Sequence, residues 1–286
     1  MQPMTTTLSN GVVMPKIGFG VYRMGNDEET ERAVLSAIES GYRLIDTAAA
    51  YGNEEAVGRA IRKSGIPRTE LFVTTKLWVT DTNAERAESG FEASLKRLGL
   101  DYVDLFLIHQ PYNDYWGAWR VLSRLYEGGR MRAIGVDNFT EARMADFLFY
   151  SDVRPHVNFL ECNAFFQRRN EAPYLQKEGI CMQAWSPLAA GTDSLYGNPI
   201  LKEIAAAHGK TVAQVVLRSM LDRGICPVVK TTRVERMREN LDVFDFTLTF
   251  EDHLAIETLD RGTSVFPVRD TAARVNEFLR KTVVGI

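Results

Sequence analysis

The stretch YRLIDTAAAYGNE, residues 42–54, carries an apolar run that stops at Asp46 and is followed closely by Tyr51. Two later segments repeat the pattern: LFVTTKLW, residues 71–78, reaches Lys76, and YVDLFLIHQP, residues 102–111, reaches His109. Lys76 lies 30 positions after Asp46, and His109 lies 33 after Lys76. That is about the length of a strand with its returning helix. Each polar group is therefore expected at the carboxyl end of its own parallel strand, where α/β barrels keep their chemistry. Taken singly, each has a plainer role: the aspartate caps a turn, the lysine is solvated, the histidine is structural. On neighbouring strands they read together as a proton-transfer site built on a phenol. The ammonium is expected to lower the tyrosine pKa from about 10, with Asp46 fixing the ammonium. His109 is expected to hydrogen-bond a bound carbonyl.

Strand and helix signals alternate along the rest of the chain. Apolar runs at 17–19, 43–46, 71–76, 103–109, 133–136, 157–161, 180–185 and 226–229 read as strands. Amphipathic patterns at 28–40, 54–63, 83–98 and 115–127 read as helices, each ending near a glycine (Gly41, Gly65, Gly99, Gly128). Eight strands alternating with helices predict a single-domain (β/α)8 TIM barrel spanning residues 1–286. LSNGVVMP, residues 8–15, reads as an opening hairpin that turns at Asn10-Gly11. The last segment, from Arg261 onward, is expected to fold back over the barrel mouth.

With 45% hydrophobic and 25% charged residues the chain can bury a large core. A net charge of −3 argues against nucleic acid as the main partner, since phosphate binding needs a basic footprint. No apolar run approaches the ~20 residues of a membrane span, and MQPMTTTLSN has no signal-peptide pattern. Cys162, Cys181 and Cys226 are widely spaced and fit reduced thiols. His109, His156, His208 and His253 are scattered without metal-ligand spacing. The expectation is a cytoplasmic monomer that acts on a small molecule and has no metal, membrane or nucleic-acid partner.

An anion site is written in the second half. Lys230-Thr231-Thr232-Arg233 follows the last strand and precedes the helix 234–240, which carries Arg236 and Arg238. A strand end, a helix amino terminus and several cations make a cradle for phosphate. Gly18-Phe19-Gly20-Val21-Tyr22-Arg23 lacks the third glycine of a dinucleotide fingerprint, so no Rossmann domain is indicated. Trp185 ends the seventh strand, where it could stack on a flat ring, with Ser186, Leu188 and Gly191 in the loop beyond.

Taken together, MPKIGFGVYRM, GYRLIDTAAAYGNEEAVG, TTKLW, SLKRLGLDYVDLFLIHQP, GGRMRAIGVDNF and VVKTTRVERMREN resemble the aldo-keto reductase family over nearly the whole chain. The resemblance implies a barrel that binds NADPH without a Rossmann fold and reduces aldehydes and ketones. It makes Asp46, Tyr51, Lys76 and His109 the catalytic tetrad, with Tyr51 as proton donor. Gly20, Val21, Asn138 and Trp185 align with positions near the nicotinamide. Lys230, Thr231, Arg233 and Arg236 align with a 2′-phosphate clamp, and Glu239 and Asn240 with adenine contacts. The clamp is the reason to expect NADPH over NADH. Tyr22, Trp78, Tyr112 and Trp116 are expected to line the substrate mouth, with the tail near Phe266 as a lid and Trp119 in the core. The short loop after His109 is like that of compact microbial members and implies an open site for small aldehydes and α-dicarbonyls.

Two positions depart from the family pattern. Asp137 stands where G-V-S-N-F has serine, and Phe159 where V-N-Q-x-E has glutamine. Both family residues hold the nicotinamide carboxamide, which Phe159 cannot hydrogen-bond. Asp137 has two readings: it turns away to cap the next helix, or its carboxylate favours the positively charged oxidised ring. The departures also motivate an alternative function, an NADP(H)-binding redox sensor with slow turnover. An alcohol dehydrogenase working mainly towards oxidation is a third reading.

Overall fold

The computed structural model describes residues 4–269 and 271–284. Strands β1 (Thr5–Thr7) and β2 (Val13–Pro15) pair as an antiparallel hairpin. Among the described residues, eight parallel strands then close into a barrel. They are β3 (Gly18–Gly20), β4 (Leu44–Asp46), β5 (Phe72–Leu77), β6 (Val103–Ile108), β7 (Met131–Asp137), β8 (Val157–Glu161), β9 (Cys181–Trp185) and β10 (Cys226–Val229). The helices are α1 (Glu28–Glu39), α2 (Glu54–Lys63), α3 (Ala87–Leu98), α4 (Tyr115–Glu127), α5 (Glu141–Tyr150) and α6 (Glu171–Lys177), followed by α7 (Asp193–Tyr196), α8 (Pro199–His208), α9 (Val212–Asp222), α10 (Val234–Leu241), α11 (Phe250–Glu257) and α12 (Ala272–Leu279). Strand order follows chain order, and β10 closes against β3. The predicted (β/α)8 barrel with its hairpin is the observed fold. None of the described helices is long and apolar enough to cross a membrane.

Strands covered on both faces read as continuous apolar runs, and every residue of β5 and β6 is buried. Alternation then sorts them. Leu44, Phe72, Leu105 and Val157 fill the barrel interior, while Ile45, Val73, Phe106 and Ile134 pack outward against the helices. Leu8 and Met14 from the hairpin join the interior set and close the barrel floor. Burying a side chain of that size contributes about 1.5–3 kcal/mol, so the floor is an apolar plug and chemistry is confined to the other end.

Two local boundaries differ from expectation for identifiable reasons. The hairpin does not turn on Asn10-Gly11 alone. Gly11 N–H bonds the Leu8 carbonyl at 2.9 Å, leaving Ser9 and Asn10 as the turn centre. Gly11 follows at φ +86°, a conformation that favours glycine. The helix expected from residue 83 begins at Ala87, because Asn83 Oδ1 accepts from the Glu85 and Arg86 N–H groups and forms a separate turn first.

The tail does cross the mouth. Buried Glu161, at the end of β8, accepts from Ser264 Oγ and from the Val265 N–H. Arg269 then reaches Gln110, and α12 sets Phe278 against Trp78 and Tyr112.

Candidate active site

Asp46 ends β4 and Lys76 lies near the end of β5, on the next strand round the barrel. Tyr51 follows β4 on a 3-10 turn, Ala49–Tyr51, that stops at Gly52 with φ +68°. Fully buried Asn53 fixes that turn. It accepts from Thr47 Oγ1 at 2.8 Å and donates to the Val21 and Met24 carbonyls at 2.9 and 3.0 Å. His109 stands one residue beyond β6, its N–H on the Leu77 carbonyl at 3.1 Å.

Lys76 is completely buried. Its ammonium has three protons to donate, and it places them on Asp46 Oδ2 at 2.8 Å, the Thr47 carbonyl at 3.0 Å and Tyr51 Oη at 3.2 Å. Such a charge persists in the interior only with these partners. Burial lifts the Asp46 carboxyl, and the ammonium opposes that lift. Tyr51 corrects an expectation, because its pKa is pushed well above 10 rather than lowered. Burial is the main cause, followed by the carboxyls of Asp46 and Asp137. The ammonium that favours the phenolate is shared between Tyr51, Asp46 and the Thr47 carbonyl. Tyr51 therefore keeps its proton at neutral pH, the state a proton donor needs.

The tyrosine and His109 rings meet edge to face, with centroids 5.5 Å apart. Burial, then Lys76 and Arg269, holds His109 well below its usual pKa, so the imidazole is neutral. Its Nδ1 is buried without a hydrogen-bond partner among the described residues. Asp137 does not cap α5, whose first turn begins after Thr140. It ends β7 facing inward, 2% exposed, with Oδ2 3.8 Å from His109 Nε2 and Oδ1 buried without a hydrogen-bond partner among the described residues. Alternation along β7 decides this, because a strand-end residue in register with the barrel interior cannot turn back to the helix. Burial raises the Asp137 carboxyl well above the usual range. Phe159 puts its ring 5.1 Å from Lys76 Nζ, covering the ammonium with an aromatic face.

Asn138, at φ +66°, braces the rim. It donates to the His109 carbonyl at 3.2 Å and accepts from Trp185 Nε1 at 3.1 Å. The mouth is aromatic. Tyr22 lies 5.0 Å from Tyr51, Trp78 lies 4.9 Å from His109, and Tyr112 lies 5.5 Å from Phe278. Phe266 packs on Trp185 at 5.3 Å. Trp116, expected at the mouth, meets Phe147 at a tilt and Tyr150 edge to face, both on α5. On α4 it falls on the face that packs against α5, the same aromatic cluster that Trp119 joins from the core.

Beyond β10, Thr231 Oγ1 accepts from the Arg233 N–H at 3.1 Å, and α10 begins there. Lys230, Arg233 and Arg236 are exposed, and none has an acidic partner among the described residues. Arg236 lies close enough to Tyr196 of α7 to act on its phenol. Ser186 Oγ accepts from the Ala190 N–H, and the loop holds Ser186 at positive φ before Leu188 and Ala189, Ala190 and Gly191 at positive φ after it. Glu239 and Asn240 are partly committed elsewhere: Glu239 accepts from Thr211 Oγ1 at 2.8 Å, and buried Asn240 bonds Tyr42. At Gly20 a side chain would press Val228 at 3.0 Å and come within 3.9 Å of Asp46 Oδ2, so glycine and buried Val21 keep that wall flat. Free cations at a helix amino terminus fit a nucleotide phosphate. The Asp137 and Phe159 edge offers a carboxamide one hydrogen-bonding group, Asp137, where the family has two.

No group of three or more potential metal ligands occurs among the described residues. Residues not foreseen from sequence are Gln110, Arg269 and Phe278. Gln110 was visible beside His109, but nothing local marks the two tail residues.

A closed (β/α)8 barrel with a buried Asp–Lys pair on a tyrosine at its carboxyl rim defines a barrel oxidoreductase of the nicotinamide-using kind. The Aldo/keto reductase family model matches residues 16–261, and the chain belongs to that family. It is 43% identical over 267 residues to glyoxal reductase of Bacillus subtilis, covering 93% of this chain and 96% of that protein. It is 42% identical over 270 residues to methylglyoxal reductase DkgA of Yersinia pestis, covering 93% and 96%. The Bombyx mori aldo-keto reductase solved in complex with NADP superimposes with a TM-score of 0.88 at 35% identity, over 94% of this chain and 97% of that one.

Proposed function

We propose that this chain reduces small aldehydes, ketones and α-dicarbonyls with NADPH, Tyr51 giving its proton to the carbonyl oxygen. The observation that carries the reading is the Lys76 ammonium, tied at once to Asp46, Thr47 and the Tyr51 hydroxyl. When bound, the cofactor supplies the hydride that reaches the carbonyl carbon. Tyr51 stays protonated until negative charge develops on the substrate oxygen. Lys76 then stabilises the phenolate left behind, and Asp46 keeps Lys76 in place. Neutral His109 orients the carbonyl by hydrogen bonding. Lys230, Thr231, Arg233 and Arg236 hold the 2′-phosphate, which favours NADPH over NADH. The α-dicarbonyl class is supported by the activities named for the Bacillus and Yersinia relatives and by the aromatic mouth.

The test is NADPH consumption by wild type and Tyr51→Phe against a panel of aldehydes, ketones and α-dicarbonyls, with a fluorescence titration of NADPH beside it. Wild-type turnover that vanishes in the variant supports the assignment. Tight NADPH binding with no turnover on any carbonyl would replace it with a redox-sensing barrel.

A further inference from the structure

Cys181 and Cys226 bring two thiols together at the end of the barrel away from Tyr51. Cys181 opens β9, and Cys226 opens the neighbouring β10. Cys226 is level with Gln183, two positions beyond Cys181, so both side chains point to one face. That face is the barrel interior, where the cysteines join Leu8, Met14 and Val157 near the floor. Their sulfurs lie 3.7 Å apart, and both are free thiols. Cys162, the third cysteine, is fully buried in the separate cluster between the strands and the helices.

Three features make the pair more than two core residues. Cys181 is only half-buried while Cys226 is 2% exposed, so a small oxidant reaches one sulfur and the other stands in reserve. Each cysteine also follows, by two residues, a glycine at positive φ where the chain enters its strand: Gly179 at +71° and Gly224 at +73°. A side chain at either glycine would meet nothing within 4 Å, so these entries have room to shift. A disulfide needs its sulfurs about 2.05 Å apart, and that room supplies the remaining approach. Finally, β10 closes the barrel through short ladders. It meets β9 at Cys226 and Pro227, and β3 at Val228 and Val229. Pro227 brings no N–H to its ladder. The adjoining Cys226 thiol and burial push the Cys181 thiol up, and Lys16, just beyond β2, opposes them.

We propose that Cys181 and Cys226 are a site of reversible oxidation that closes to a disulfide across the β9–β10 seam when the protein meets a peroxide. The Cys181 thiolate attacks one peroxide oxygen, and the O–O bond breaks to leave a sulfenic acid and hydroxide. The Cys226 thiolate then attacks the Cys181 sulfur. The S–S bond forms as the S–O bond breaks, releasing a second hydroxide. The two thiol protons turn both hydroxides into water, so the thiols give up two electrons and the peroxide takes them. The bond joins residues 45 apart in the chain and fastens β10 to β9.

The test treats the reduced full-length chain, freed of reductant, with hydrogen peroxide and counts its thiols after unfolding. Titratable thiols should fall from three to one. The mass should drop by two hydrogens, and peptide mapping should find Cys181 linked to Cys226. Dithiothreitol should restore all three thiols. Formation should quicken by up to about tenfold per pH unit, because the thiolate is the attacking species. The oxidised protein should melt about 5 °C above the reduced one, as closing a loop of that length in a chain of this size implies. In Cys226→Ser, oxidation should stop at a Cys181 sulfenic acid that dimedone traps. Cys162→Ser should form the bond as wild type does. Three thiols persisting in wild type, a bridge that uses Cys162, or a bridge between two chains overturns the proposal. So does oxygen added to wild-type Cys181 without a bridge. An oxidised form that melts no higher than the reduced one removes the fastening of β10. The wild-type peptide map decides the bridge even where a variant fails to fold.

Discussion

The β4–β5 sector of the rim and the β6–β8 sector are built on opposite plans. In the first, Lys76 spends every proton on Asp46, Thr47 and Tyr51, and Asn53 ties the loop that carries the tyrosine. In the second, His109 Nδ1 and Asp137 Oδ1 are buried without hydrogen-bond partners among the described residues, and the Phe159 side chain carries no polar group. The first sector satisfies the ammonium fully and leaves Asp46 Oδ1 and Thr74 Oγ1 buried without a hydrogen-bond partner among the described residues. The second leaves hydrogen-bonding capacity to be met by whatever binds, with the tail supplying Arg269 and Phe278 over it. Under the proposed function, the wired sector holds the proton donor, and the open sector faces the substrate and the nicotinamide.

The contrast can be broken at four points. Tyr51→Phe should lower kcat by about 10²–10⁴-fold, the usual worth of a positioned proton donor, with NADPH affinity retained in fluorescence titration. A variant within tenfold of wild type would move the donor role to His109. Lys76→Met should cost about 3–5 kcal/mol in urea unfolding, because Asp46 is left buried and uncompensated. Adding Asp46→Asn should recover part of that loss, and no recovery would mean the pair is not the source of the effect. Arg236→Ala should weaken NADPH by about 1.5–3 kcal/mol, the worth of a charged hydrogen bond, and NADH far less. Equal losses would remove the arginine from the phosphate clamp.

The smallest effect is expected at Asp137. Its folded pKa is raised, so its contribution to stability is intact below the ordinary carboxylate value of about 3.9 and is lost as pH rises through the raised value. Asp137→Asn should therefore stabilise the protein more at pH 8 than at pH 5, by about 1–3 kcal/mol at most. A gap in unfolding free energy that does not change with pH would show that Asp137 does not titrate there. The same titration bears on the cofactor. The preference for oxidised over reduced nicotinamide should grow with pH in wild type and stay flat in Asp137→Ser, with both affinities measured at each pH.

Three polar residues of the rim were legible in the sequence because each lies at or beside a strand end and the strands recur at a regular spacing. Asp46, Lys76 and His109 could be placed without coordinates for that reason. Asp137 could not, since capping α5 and facing the barrel are equally good uses of an aspartate. The pleat of β7 alone chose between them. Trp116 was ambiguous for a similar reason: a helix pattern shows an aromatic face but not which neighbour it meets, and here it meets Phe147 of α5.

By itself, then, the sequence determined the barrel and its hairpin, and it marked the residues proposed for proton transfer and phosphate binding, all through periodicity and local chemistry along neighbouring stretches of chain. Only the tertiary structure decided the tyrosine's high pKa, the inward carboxyl of Asp137 and the Arg269–Phe278 cover on the mouth. Those depend on burial and on contacts between residues far apart in the chain, such as Gln110 with Arg269, which no local pattern encodes.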